Sequence, residues 1–403
     1  MTRVELLREY EKRELDLTSQ ELRDLLAAVG SSGALGVSPT SAGSYQVTAS
    51  SMVGSVVSSE IAVMIKPKIA LRNLFYLFGV VSPTFDATSF SYGDEPDLLQ
   101  AMAGMFAHEV DRATVRGVLH GYQAAEERLI APRGRIDLVE QLRRPAQLTP
   151  IACRFDEFTP DILPNRALLT AGLRLLRVPG IRPAQRAHLY RVMARLDGVS
   201  ASRVPIDRVD AWRPGRLDRH YAVAVRFAAI ILRNLSLRNV AGGRSAASFT
   251  IDMNDVFQRF VADRLRHHLS GVLEVVEEPP TRFAVNHGIT MYPDLDFRRR
   301  GRTVFVGDAK YKLSSGAARL SDYYQLLAYT TVLEQPAGVL VYCQTDDAES
   351  GDVHEVVVRN DGRRLFTYRL QLSGSFEDLE DEMAALASWI GTQVRPALLE
   401  KVA

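Results

Sequence analysis

The chain has 403 residues, 46% of them hydrophobic and 24% charged, with a formal net charge of +1. That length suits two or three domains with a sizeable core. Near-neutrality excludes a bulk electrostatic pull toward nucleic acid or membrane, so any such binding must rest on local patches. The two cysteines, Cys153 and Cys343, stand alone and far apart. They exclude a cysteine-ligated zinc site and hint at no disulfide framework, which suits a reducing cytoplasm.

The first residues, MTRVELLREYEKREL, carry charges and no apolar core, so they do not read as a signal peptide. No apolar run is long enough to span a bilayer, and no membrane association is expected. Residues 4–29 have helical spacing. Residues 30–44, GSSGALGVSPTSAGS, read as turns. YQVTASSMVGSVVSSEIAVMIKPKI alternates and is rich in Val and Ile, which predicts two or three strands ended by Pro67. Residues 1–85 thus read as a small β-rich domain.

Residues 70–80, 97–130, 167–177, 182–199 and 219–240 have apolar positions three and four apart and predict a helical middle module over 86–245. VAGGRSAAS at 240–248 reads as a linker or mobile loop. After it the pattern changes to helix 252–270, strands 272–278, 281–287, 289–298 and 302–311, helix 317–334, strands 337–344, 352–359 and 364–372, and helix 376–393. A sheet interleaved with helices predicts an α/β domain over 246–403. The chain has no GxxxxGK[ST] loop, so no nucleotide site of that kind is expected.

The residues that carry chemistry lie in MYPDLDFRRRGRTVFVGDAKYK, 291–312. Read as a hairpin centred near Gly301, it places Asp294 opposite Asp308, with Lys310 two residues on and on the same face. Two buried carboxylates repel unless something offsets them. A divalent cation would do so, and hard oxygen ligands suit Mg2+ or Mn2+. Lys310 beside it would orient or help deprotonate a water. The plainer alternative is a cross-strand ion pair between Asp294 and Lys310. In the following helix, Gln325 and Tyr329 share a face at i and i+4, with Asp322 and Tyr324 a turn earlier; helix-face packing competes with function there. Arg298, Arg299, Arg300 and Arg302 fit either a solvated loop or contacts to DNA phosphates. His267 and His268 are adjacent, which disfavours a shared metal, and with Arg259, Arg264 and Arg266 they read as helix surface. His287 is expected on a strand near the site as a packed polar residue.

PDLDF, VGDAKYK and DYYQLLAY together resemble the core of a PD-(D/E)xK nuclease with the Q-x-x-x-Y element of RecB-like members. SSMVGSVVSSEIAVMIKPKIALRNLFYLF, APRGRIDLVEQLRRP, CRFDEFTPDILPNRALLTAGLRLL and MNDVFQRFV extend the likeness to the McrC family, the nuclease subunit of McrBC-type restriction systems. The resemblance runs from about residue 45 to the C-terminus and is most specific at 292–329.

It implies a mixed sheet flanked by helices, Mg2+-dependent cleavage of double-stranded DNA leaving a 3′-hydroxyl and 5′-phosphate, and a partner, McrB, whose AAA+ hexamer hydrolyses GTP. By motif, Asp294, Asp308 and the carbonyl of Ala309 would hold metal and Lys310 would position the attacking water. Gln325 and Tyr329 would shape the site or contact DNA. The N-terminal domain, residues 1–85, would dock on the motor; separately, Arg133 and Arg135 of PRGRI are candidates for touching it or for a plain strand. One departure stands out: Gln258 occupies a position where the family usually has an acid, which leaves Asp255 or Asp296 to compensate. A free-standing nuclease, or a docking and activating subunit that no longer cuts, are the rival readings.

Overall fold

The computed structural model describes residues 3–30, 32–58, 60–79, 98–144, 148–201, 204–240, 244–311, 320–344 and 353–394. Its first sheet has five strands in the order Arg3–Arg8, Ile61–Lys66, Met52–Val57, Arg244–Asp252 and Leu235–Val240. The first two run parallel and the rest antiparallel. The helix expected over 4–29 is therefore confined to Ser19–Val29, where Thr18 and Glu21 form a reciprocal cap. Residues 3–8 have the composition of a helix, but pairing with a buried Val/Ile strand overrides that local preference. In the same way, Leu35–Pro39 pairs with Tyr45–Ala49 where turns alone were expected.

Residues 244–248, expected to be linker, belong to the strand Arg244–Asp252, which lies in register against Met52–Val57. Gly54 makes that approach possible: it has φ 132°, and a Cβ there would sit 2.0 Å from the carbonyl oxygen of Phe249. Residues 241–243 lie outside the described residues. Residues 235–240 extend this sheet rather than continuing the helix expected to Val240, which ends at Asn234. The strand pair thus straddles the expected domain boundary at 245.

The middle of the chain is not wholly helical. Helices Leu98–Thr114, Leu163–Leu176, Pro183–Met193 and Ala222–Asn234 pack into the main core. Beyond Gly117, with φ 109°, the expected helix gives way to the strand Gly121–Leu129. This strand pairs along its whole length with Ile151–Thr159, and Arg135–Ile136 adds to the same small sheet.

The C-terminal sheet has six strands in the order Glu274–Glu277, Leu295–Arg299, Arg302–Lys310, Ala337–Gln344, Arg364–Gln371 and Val353–Val357. Its three central strands are parallel and its edges antiparallel, a mixed α/β sheet as expected. Helix Leu320–Val332 covers one face through Leu326 and Tyr329 against Val306, Leu340 and Tyr342. Helices Met253–His268 and Phe376–Val394 cover the other, packing on Phe297, Phe305 and Tyr368. That second face shares one continuous core with the first sheet and the middle helices. Residues 312–319 and 345–352, which include the expected start of helix 317–334, lie outside the described residues. Among the described residues no helix is long and apolar enough to cross a membrane.

Candidate active site

The arginine-rich turn is tighter than a five-residue loop. Arg299 pairs with Arg302, leaving Arg300 and Gly301 as the two turn residues, both with positive φ (50° and 74°). Such a primed turn matches the twist of its flanking strands. Centred there, it would misalign Asp294 and Asp308 by one residue. A bulge after Phe297 restores the register, so Phe297 faces Phe305 and Leu295 faces Gly307. Asp294 precedes Leu295 and Asp308 follows Gly307, so the two acids meet as the sequence pattern required.

Both acids are buried, Asp308 completely. Asp294 Oδ2 accepts the backbone N–H of Ala309 at 2.9 Å, which places Ala309 at the site. Lys310 Nζ lies 2.6 Å from Asp308 Oδ2, so the lysine pairs within its own strand rather than across to Asp294. Asp308 Oδ1 is buried without a hydrogen-bond partner among the described residues. Burial and the charge of Asp308 push the Asp294 carboxyl up to about 8, against the pull of the Ala309 N–H. Burial likewise raises Asp308, with Lys310 opposing. Burial alone would lower Lys310, but the carboxylate beside it raises it. At neutral pH the pair therefore retains a proton, the arrangement two close acids adopt when no cation offsets them.

Helix Leu320–Val332 closes the site from above. Gln325 Nε2 donates to the Tyr329 hydroxyl at 2.7 Å, and that hydroxyl donates to the carbonyl of Tyr292 at 3.1 Å. Both side chains thus hold the segment that delivers Asp294. Asp322 is buried one turn earlier, accepts the hydroxyl of Tyr342, and is close enough for its charge to raise Asp308. Tyr342 sits beside Lys310 on the neighbouring strand. Tyr342 had no signal in the sequence, because only parallel pairing of two distant strands brings it there. Tyr324 is exposed and turned away.

Other expected residues fall elsewhere. Arg302 is six residues from Asp308, about 20 Å along an extended strand, so the arginine turn lies at the far end of the hairpin. Arg298 pairs with the buried Asp296 at 2.7 Å, which commits Asp296 to that arginine. Asp255 pairs with Arg259 on the exposed side of its helix. Gln258 donates to Glu278 at 2.9 Å, so a carboxylate does stand beside the departing position, supplied from a loop. His287 is exposed in a loop between two short strands and does not pack. His267 is exposed, and His268 contacts Glu380 at 3.2 Å. Arg133 stacks on Phe155 at 3.7 Å and faces Glu157 at 3.5 Å, while Arg135 lies in a short exposed strand.

The donor set fits a hard cation. Two carboxylates carry an unpartnered buried oxygen and a depressed tendency to ionise, and Mg2+ typically takes one or two carboxylates while keeping waters. Among the described residues no group of three or more His, Cys, Asp or Glu is placed to hold a metal.

The chain is similar to solved structures from Thermococcus gammatolerans. One is a half-complex from a tetradecameric assembly of McrB AAA+ hexamers with bound McrC, with TM-score 0.61 and 17% identity over 96% of this chain and 99% of that one. Another is the McrBC complex, with TM-score 0.45 and 17% identity over 66% and 88%. The first shows a shared fold over nearly the whole length. No curated protein matches. The family model described as McrBC 5-methylcytosine restriction system component matches residues 47–343, bearing out the family resemblance read from the sequence. The chain belongs to the McrBC 5-methylcytosine restriction system component family.

Proposed function

We propose that the chain is the DNA-cleaving subunit of a modification-dependent restriction system, with a PD-(D/E)xK core in its C-terminal sheet. The observation that carries this reading is the convergence of the buried Asp294 and Asp308 with the partly buried Lys310. Asp294, Asp308 and the Ala309 carbonyl would hold Mg2+, with Mn2+ as a substitute. A bound divalent cation would supply charge to offset the acids and acidify a water. Lys310, fixed by Asp308, is placed to orient that water and to stabilise negative charge on a phosphate. Tyr329 and Gln325 keep the Asp294 segment in place.

Recognition of modified DNA and its movement would fall to an McrB-like AAA+ GTPase hexamer, in the cytoplasm; the similar Thermococcus gammatolerans structure is of McrB AAA+ hexamers with bound McrC. The surface that suits a protein partner is the small middle sheet. Tyr122, Ile130, Leu138, Leu142 and Phe158 are exposed there within 40 residues, beside Arg133 and Arg135. Tyr122 and Phe158 pair at one end of the sheet and Ile130, Leu138 and Leu142 lie toward the other, so two exposed apolar clusters would meet the partner.

Asp308→Ala tests the reading in the full-length chain, assayed on methylated plasmid with the AAA+ partner, GTP and Mg2+. Loss of cleavage with the partner's GTPase still stimulated supports it. Unchanged cleavage, or intact defence in cells, would leave only a docking and activating role.

A further inference from the structure

The strand that bears Asp308 and Lys310 ends at Lys310. Tyr311 comes next, turned to the opposite face of the sheet and fully buried. Its hydroxyl donates to Glu9 Oε1 at 3.2 Å, joining positions 302 residues apart.

Glu9 directly follows the strand Arg3–Arg8, and its side chain is wholly buried. The same Oε1 accepts the backbone N–H of Lys68 at 2.9 Å, while Lys68 Nζ lies 3.7 Å from Oε2. The Lys68 ammonium also sits over the rings of Tyr10, at 4.5 Å, and Tyr311, at 5.9 Å. Lys68 comes two residues after the strand Ile61–Lys66, which is paired with Arg3–Arg8 so that Arg8 meets Lys66. Two neighbouring strands of the first sheet therefore end together and send their next side chains to the back of the strand that carries the site. Phe257, from the helix Met253–His268, flanks Tyr311 at 6.1 Å.

A buried ion pair of this kind adds little stability over apolar packing of the same volume. What it adds is direction, because a hydrogen bond has a narrow range of lengths and angles where apolar contact tolerates sliding. Tyr311 lies one Cα step, about 3.8 Å, from Lys310. A shift of the first sheet that drags the Tyr311 hydroxyl moves Lys310 relative to Asp294.

We propose that Tyr311 is a positioning residue, which Glu9 and Lys68 use to tether the end of the Asp308–Lys310 strand to the first sheet. The consequence for cleavage rests on the nuclease reading above; the tether itself does not. It makes the first sheet a lever on the site, so a partner that moves the sheet adjusts the lysine against the acids.

The test compares full-length wild type with Tyr311→Phe and Glu9→Gln. Four quantities are read: amide hydrogen exchange at Ala309, Lys310 and Tyr311, Mn2+ affinity, and the kcat and KM of Mg2+-dependent cleavage. Each variant is expected to speed exchange at those amides about tenfold. Each should lower kcat about tenfold with KM for DNA unchanged, as small misplacement of a reacting group does. The double variant should be no worse than the poorer single one, because both break the same tether. Wild-type exchange in Tyr311→Phe, well below its melting temperature, overturns the proposal whatever the activity. A lowered melting temperature with unchanged kcat per folded molecule also overturns it, as mere packing. Faster exchange in a protein whose wild type neither binds Mn2+ nor cuts DNA supports the tether and removes the nuclease reading instead. Tyr311→Phe deletes one hydroxyl and carries the test should Glu9→Gln fail to fold.

Discussion

Two sheets of this molecule break the inside–outside rule in opposite directions. The C-terminal sheet and its covering helix bury Asp294, Asp296, Asp308 and Asp322, none more than 9% exposed. The small middle sheet and its short helix leave Tyr122 75%, Leu142 73% and Phe158 60% exposed. Each arrangement costs free energy that ordinary packing would not. Buried like charges lower the stability of the unloaded fold, and exposed aromatics lower solubility. A buried charge lowers its cost by binding an opposite charge, and an exposed apolar face by binding another such face. On the function proposed above, the first region would lower its cost by holding a small cation and the second by holding a protein.

The strongest test of the contrast is at the acids. Asp294→Ala or Lys310→Ala should lower cleavage by about a thousandfold, the scale of losing a principal charge-stabilising group. Plasmid nicking measures this, and activity within a few fold of wild type would break the comparison on its first side.

Next in size is a reversal of sign. Asp294→Asn keeps an acceptor for the Ala309 N–H and removes a charge, so it should stabilise the metal-free protein at alkaline pH. The pH dependence follows from the raised carboxyl. The folded protein holds the Asp294 proton up to about 8, whereas the unfolded chain releases it near 4. Between those values the native state binds more protons, so wild-type stability falls as pH rises through that window. The advantage of Asp294→Asn should therefore be small below about pH 4 and largest above about pH 8. Denaturant melts across pH would reveal a flat difference if Asp294 ionises normally. Because a cation must displace the same proton, Mn2+ affinity should rise about tenfold per pH unit up to about pH 8; titration calorimetry in several buffers reads both affinity and proton release.

Substitutions at the exposed aromatics of the middle sheet should have smaller effects. Tyr122→Ser with Phe158→Ser should leave the melting temperature nearly unchanged, since exposed positions shift stability by about 0.5 kcal/mol or less. Binding to the AAA+ partner should weaken at least about tenfold, as for aromatic anchors at an interface. Unaltered binding would mean the patch serves something else. Smallest of all, Arg299→Ala and Arg302→Ala should leave cleavage at low salt intact and each reduce the salt slope of DNA binding by about one. A large loss of turnover would place the arginine turn closer to the chemistry than its 20 Å separation along the strand allows.

In the C-terminal region much of this was legible beforehand. Ala337–Gln344 falls where the apolar run predicted a strand, and Phe376–Val394 and Met253–His268 differ from expectation only at their ends. These segments have a strong period and sharp stops, so local preference and tertiary packing agree. The N-terminal and middle errors share one cause. Arg3–Arg8 and Gly121–Leu129 have the charged, alanine- and leucine-rich composition of helices, and only pairing with distant strands makes them extended.

By itself the sequence determined which side chains are available: two acids on either side of a turn, and a lysine two residues beyond the second acid and so on its face. Tertiary structure decided the rest. It set the bulge that corrects their register, the pairing of Lys310 with Asp308 rather than Asp294, and the commitment of Asp296 to Arg298. It also brought Tyr342 beside the site and Glu9 behind it. Side-chain alternation is a local property of a strand, readable from a single segment. Which strands become neighbours depends on burial summed over the whole chain, and no single segment carries that sum.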